Sequence, residues 1–260
     1  SIIPKILPPM FKRFLKKLRH YGNNRTCSVC NSHLSAFLPA GLEKTPDRLC
    51  PICGSVERHR LVMLFIQRHT DLFSRSPKTM LHVAPEPALS ARFQRHRPLQ
   101  YLSADLNDPK AMVQLDVTDI DFAENTFDVI YCSHVLEHVP EDKKALREFA
   151  RVLKPTGWAL LQVPIANIDI TFEDPSITDL DERQKLFGHW DHVRLYGRDY
   201  KDRLEEAGFR VTVVSPQSFL TPQEIKQHAL TPSEDLYFCA APKAVAPAPK
   251  PEESVQASVF

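Results

Sequence analysis

Residues 124–164 read ENTFDVIYCSHVLEHVPEDKKALREFARVLKPTGWALLQVP, and this stretch decides the fold. Phe127–Cys132 is a short, mostly aliphatic and aromatic run that predicts a buried strand. Lys143–Leu153 predicts a helix, and Trp158–Val163 a second apolar strand. Strand, helix and strand in so short a stretch form a right-handed crossover, which makes the two strands parallel.

The same alternation extends outward. Upstream strand candidates are Thr79–Ala84, Gln100–Asp105 and Val113–Val117; downstream ones are Phe209–Val214 and Leu236–Ala241. Helical runs at Pro87–His96 and Gly197–Ala207 lie between some of them. The expected class is therefore α/β, a doubly wound Rossmann-like sheet. No clear helix separates the last two strands, so the final one is expected to run antiparallel.

Ahead of this region stands Cys27-Ser-Val-Cys30 and, nineteen residues on, Cys50-Pro-Ile-Cys53-Gly54. Two residues between thiolates let both sulfurs of a knuckle reach one ion, and a second knuckle completes a tetrahedron. The spacing predicts Zn2+ held by Cys27, Cys30, Cys50 and Cys53, with His33 as a substitute ligand. A closed four-cysteine shell leaves no open position, so the zinc would be structural. Cys132 and Cys239, the other two of six cysteines, pair with nothing nearby in sequence.

These readings divide the chain into a basic amphipathic helix within 1–25, a four-cysteine module with a linker helix over 26–73, the α/β domain over 74–241, and a Pro/Ala-rich disordered tail over 242–260. The formal net charge is +1, which excludes an overall electrostatic bias toward nucleic acid or membrane. The N-terminal segment is the exception: Lys5, Lys12, Arg13, Lys16, Lys17, Arg19 and Arg25 carry no acidic residue among them. No apolar run approaches the roughly 18 residues a membrane span requires. The opening Ser-Ile-Ile-Pro does not read as a secretory signal, so a cytoplasmic location is expected.

The Phe-Asp strand, the Leu-Glu-His turn and the Arg-Val-Leu-Lys-Pro run of residues 124–164 together resemble the central block of class I S-adenosylmethionine-dependent methyltransferases, and the resemblance covers roughly 78–241. Cys-Pro-Ile-Cys-Gly followed by Glu57-Arg58-His59-Arg60 is similar to a branch of that family bearing an N-terminal zinc ribbon. The resemblance implies S-adenosylmethionine as cofactor, bound at the carboxyl ends of the strands. It places Asp105 on the ribose hydroxyls with Leu106 beside it, Asp116 and the Val117 amide on adenine, and Ser133 and His134 near the sulfonium. A helix N-cap is the structural alternative for Asp105, and Glu137 and His138 are expected to brace the following helix.

The first-strand loop departs from the family pattern. A glycine-rich turn is usual there, but this chain reads Leu81-His82-Val83-Ala84-Pro85-Glu86-Pro87. His82 stands where an acid is usual, and Ala84 replaces glycine on the expectation of a negative φ. Glu86 is expected to face the ammonium of the cofactor's methionine moiety. Thr156 likewise replaces the first glycine of a Pro-Gly-Gly.

Methyl transfer is an in-line displacement in which alignment supplies most of the rate, and a base is needed only when the acceptor must lose a proton. The insertion 165–196 holds Phe187-Gly188-His189-Trp190-Asp191-His192-Val193-Arg194. His189 or His192 as base, Asp191 as its orienting carboxylate, Arg194 as an anion-binding group and His134 at the sulfonium are the catalytic candidates. An ordered loop with His192 capping a helix, or a second metal on His189, Asp191 and His192, are the alternatives. The expected function is O- or N-methylation of a small-molecule or saccharide acceptor. An RNA methyltransferase using the zinc module and basic helix, and a catalytically degenerate scaffold subunit, remain alternatives. The basic helix also suits a membrane surface or a protein partner.

Overall fold

The structure, a computed structural model, describes residues 9–41 and 43–241. The expected disordered tail, Lys5 and the rest of the first eight residues lie outside them.

The chain enters through helix α1 (Pro9–His20), whose Phe11, Phe14 and Leu18 are exposed among lysines and arginines. Two small antiparallel hairpins follow, β1 (Arg25–Cys27) with β2 (Ser32–Leu34) and β3 (Leu38–Ala40) with β4 (Thr45–Leu49). Helix α2 (Glu57–His69) comes next, and eight consecutive residues, His59–Ile66, are buried. A helix buried all round has no face left for water. It lies between the cysteine module and the sheet: Cys27, Cys50, Leu61, Phe65, Met80 and Tyr131 belong to one apolar cluster.

Arg60 sits at the centre of this packing with no solvent exposure. Its guanidinium donates to the carbonyls of Arg48, Ser55, His228 and Ala229 at 2.6–3.2 Å, and stacks 3.8 Å from the Phe37 ring. A buried cation demands that set of acceptors, because every unpaired N–H would be left without water.

Strand β5 (Lys78–Val83), helix α3 (Pro87–Phe93), β6 (Leu99–Asp105), β7 (Val113–Gln114), β8 (Phe127–Ser133), helix α4 (Asp142–Val152) and β9 (Leu153–Gln162) build the doubly wound part. An insertion follows, with β10 (Phe172–Glu173), helix α5 (Leu180–Phe187) and β11 (Arg194–Leu195). Helix α6 (Tyr200–Glu206), β12 (Arg210–Val214), helix α7 (Pro222–Gln227) and β13 (Leu236–Ala240) complete the chain. The seven-stranded sheet has the order β12-β13-β9-β8-β5-β6-β7. Strands β5–β9 within it run parallel, and β13 runs antiparallel to both its neighbours as expected, although the short helix α7 does lie between β12 and β13.

Alternation along the strands sorts the two cores. In β8, Ile130 and Cys132 point toward α4 and α6, while Val129 and Tyr131 point toward α2 and α3. The third predicted strand, Val113–Val117, shrinks to two residues. The Asp116 carboxylate accepts from the Thr118 amide and hydroxyl at 2.8 Å and turns the chain there.

Candidate functional site

The four cysteines converge. Their sulfurs lie within 4.8 Å of one another, with Cys27–Cys53 at 3.7 Å and Cys30–Cys50 at 3.8 Å. Four sulfurs about 2.3 Å from a tetrahedral Zn2+ stand about 3.8 Å apart, so the donor set fits the ion. The two knuckles match: Asn31 (φ 54°) and Gly54 (φ 76°) take the left-handed turn, and their amides donate to the carbonyls of Cys27 and Cys50. Hydrogen bonds from Cys30, Cys50 and Cys53 push the Cys27 thiol far down, and those with Cys27, Cys30 and Cys53 push Cys50 up. His33 is not part of the group; it is exposed and 3.4 Å from the Thr26 hydroxyl.

A cleft of about 650 Å³ opens at the carboxyl ends of β5, β6, β7 and β8. The sheet order reverses here, since β5 is flanked by β6 on one side and β8 on the other. Ala84, Asp105, Leu106, Asp116, Val117, His134 and Asp191 line it. Seven of the sequence-predicted residues are thus brought together. His138, Val139, Pro140 and Glu141 complete one wall and were not singled out as pocket residues. Their signal was the Leu-Glu-His turn after the fourth strand, read there as a helix brace.

Asp105 caps no helix. Its Oδ1 accepts from the Asn107 and Asp108 amides at 2.8 Å, an Asx turn. Asp116 accepts through Oδ1 from Thr118, whose backbone amide and then hydroxyl hold its carboxyl below the usual range. In both residues the recorded protein contacts use Oδ1, which leaves Oδ2 available to a ligand's hydroxyl or amino group.

The loop after β5 corrects two expectations. Ala84 has φ 48°, the left-handed region that a glycine adopts freely, so the substitution is strained rather than accommodated. Ala84→Gly is therefore expected to leave stability unchanged or raise it by up to about 1 kcal/mol, where alanine-to-glycine normally costs 0.5–1 kcal/mol. Denaturant unfolding checks this, and a loss above about 1 kcal/mol would show the strain to be absent.

Glu86, the second correction, turns inward and does not line the cleft. One carboxylate oxygen lies 2.8 Å from His82 Nε2, and the other 3.4 Å from the Tyr131 hydroxyl and 3.5 Å from His59 Nε2. Burial raises its pKa, but the hydrogen bonds of His59 and His82 outweigh that and hold it well below the carboxylate range. His82 is fully buried, bonded through Nδ1 to the Tyr101 hydroxyl at 2.9 Å. Neither residue faces a ligand. Ser133 is also buried and outside the lining.

Of the insertion residues only Asp191 lines the cleft; His189 and His192 gather around it without lining the cleft themselves. His189 Nδ1 is hydrogen-bonded to Asp191 Oδ1, and Asp191 Oδ2 lies 3.1 Å from His138 Nδ1. Burial raises the Asp191 pKa, but His189 and the neighbouring imidazoles bring it below the usual value. His192 donates from Nδ1 to the carbonyl of Phe187, the last residue of α5, at 3.1 Å, so it does cap a helix. Its burial lowers its pKa, which keeps the imidazole neutral. Arg194 is no anion site. It is 3% exposed, and its guanidinium is consumed by Glu173 and the carbonyls of Leu136, Val139 and Pro140. Glu137 braces no helix through its side chain. It is 1% exposed and neither carboxylate oxygen has a hydrogen-bond partner, though His134 Nδ1 stands 3.2 Å from Oε1.

Residues 68–161 match the family described as methyltransferase domain. A ubiquinone/menaquinone biosynthesis C-methyltransferase of Idiomarina loihiensis is 47% identical over 49 residues, 19% of this chain. The match spans about a fifth of the length of that relative (20%). Among solved structures, the Burkholderia thailandensis 1,6-didemethyltoxoflavin-N1-methyltransferase is 15% identical over 72% of this chain and 78% of its own, with a TM-score of 0.47. The [4+2]-cyclase SpnF is 16% identical over 90% of this chain and 94% of its own, with a TM-score of 0.49. The match to the methyltransferase-domain family falls on β5–β9, the part of the doubly wound Rossmann-like sheet whose strand order reverses at the cleft.

Proposed function

We propose that the protein is an S-adenosylmethionine-dependent methyltransferase acting on a small-molecule or saccharide acceptor. The observation that carries the first part is the pair Asp105 and Asp116, each with one carboxylate oxygen unspent, in a cleft of the methyltransferase domain. On this reading Asp105 holds the ribose hydroxyls with Leu106 beside it, and Asp116 and Val117 meet the adenine. His134, at the end of β8 with φ 56°, stands where the sulfonium would lie. Bound S-adenosylmethionine supplies the electrophilic methyl group; the residues around it orient the acceptor and exclude water. The His189–Asp191 pair is the base for an acceptor that must lose a proton, because a carboxylate at Nδ1 orients the imidazole and leaves Nε2 to accept. A small acceptor is favoured by the size of the cleft, about 650 Å³. Zn2+ on the four cysteines is proposed as a folding device, and the boundaries near 25, 73 and 241 as those of the functional segments.

Among the described residues no helix is long and apolar enough to cross a membrane. The exposed Phe11, Phe14 and Leu18 among basic residues of α1 favour a partner or membrane surface for that helix rather than stacking on RNA bases.

Asp105→Asn tests the cofactor assignment. The amide oxygen preserves the Asx turn, but a ribose acceptor is lost, so S-adenosylmethionine affinity is expected to fall by about 2 kcal/mol, roughly 30-fold. The melting temperature should not change. Calorimetric titration of both proteins decides it: equal affinities would reduce Asp105 to a turn-former, and no binding by the parent would favour a scaffold role.

A further inference from the structure

Glu137 is a buried carboxylate whose oxygens make no hydrogen bond, with His134 Nδ1 3.2 Å from Oε1. Such a group is costly unless a proton or a cation satisfies it. Its surroundings are donors of a particular kind. Ligand atoms of Glu137, His138 and His192 lie within 4.8 Å of one another, and so do those of His189, Asp191 and His192.

We propose that Glu137, His138 and His192 form a second metal site, distinct from the cysteines, that takes a divalent transition ion such as Zn2+. Two imidazoles and a carboxylate are a donor set that borderline ions accept, with a further position left open. His192 is prepared for it. Its Nδ1–H is committed to the Phe187 carbonyl, so the lone pair sits on Nε2. The His138 ring makes no such hydrogen bond, but Asp191 Oδ2 stands 3.1 Å from its Nδ1, close enough to orient it. Asp191 is in turn tied to His189, so the second triad orients the first. Around a bound ion the donors would stand about 3.4 Å apart, inside the 4.8 Å limit within which they already lie.

His138 and Asp191 both line the cleft. On the proposed methyl-transfer reading, the open position on the ion is where an acceptor oxygen or nitrogen would be held and made easier to deprotonate. Metal binding itself does not rest on that reading, and it is measured without cofactor or acceptor.

The test is metal stoichiometry by equilibrium dialysis of the full chain against Zn2+ and, separately, Co2+. The parent is expected to take two ions, of which only one shows thiolate-to-cobalt charge transfer. His192→Ala and Glu137→Gln should each take one ion, with the thiolate-bound ion retained as proof that the fold survives. Asp191→Asn keeps the ligands but loses the orienting carboxylate, and should weaken the second ion 10- to 100-fold. A parent that takes one ion, or variants that still take two with parental affinity, would overturn the proposal. Failure of cofactor binding with two ions present would instead count against the methyltransferase reading alone.

Discussion

Cys50→Ser is expected to unfold the cysteine module and to lower the melting temperature of the whole chain, with the four-cysteine ion lost from metal analysis. The physical reason is that the site is also a fold. Hairpins of three to five residues have almost no apolar surface of their own, so the knuckles are closed by the ion or not at all. Binding free energy at such sites is folding free energy, on the order of 10 kcal/mol. Cys27 and Cys50 lie in the same apolar cluster as Leu61, Phe65 and Met80, so damage passes directly to α2 and the sheet. A strong chelator should act in the same direction. Freshly purified protein without zinc, or a variant as stable as the parent, would contradict the expectation.

The second large effect concerns Glu86. Glu86→Ala leaves His82, His59 and the Tyr131 hydroxyl around an emptied carboxylate site, and should cost about 3–5 kcal/mol, the range for breaking a buried ion pair. For a chain of this size that is a fall of roughly 6–20 °C in melting temperature. Glu86→Gln keeps the shape and should cost less. The pH dependence has a definite sign. Glu86 has its folded pKa depressed, so its contribution is fully present above the unfolded value of about 4.3 and is lost as pH falls below it. Parent stability should therefore decline through pH 4 more steeply than that of Glu86→Gln. Parallel curves, or an Ala variant within about 1 kcal/mol of the parent, would show the carboxylate contributes little.

Glu86 also marks where reading from sequence stops. The strands and the cysteine pairs were legible because periodicity and spacing are local properties. Asp105 and Asp116 were legible because strand ends deliver them to one edge of the sheet. Which way Glu86 turns depends on His59, twenty-seven positions earlier, and on the Tyr131 hydroxyl from another strand. No local pattern carries that. Arg194 misled for a related reason: arginines are usually exposed, and only the tertiary fold brings three backbone carbonyls around this one. The short helices α5 and α7 were missed because their faces are largely polar; Phe187 is the only buried residue of α5 and α7 buries none. The sign of φ at Ala84 is set by the turn between β5 and α3, so composition alone misjudged it.

The contacts of Arg60 bear on how the chain is made. Its guanidinium closes on the carbonyls of His228 and Ala229, 168 and 169 positions downstream, and Leu220, Leu230 and Leu236 fill the same cluster as the cysteines. The cysteine module thus cannot finish its interior until the segment that carries His228 and Ala229, far downstream, has been synthesised. Its early metal knuckles would wait as a partly wet, adhesive intermediate, and the closing of that very long loop sets the pace of maturation. Chains cut short before residue 220 would carry an uncapped apolar seam along α2, and quality control would see them as unfinished.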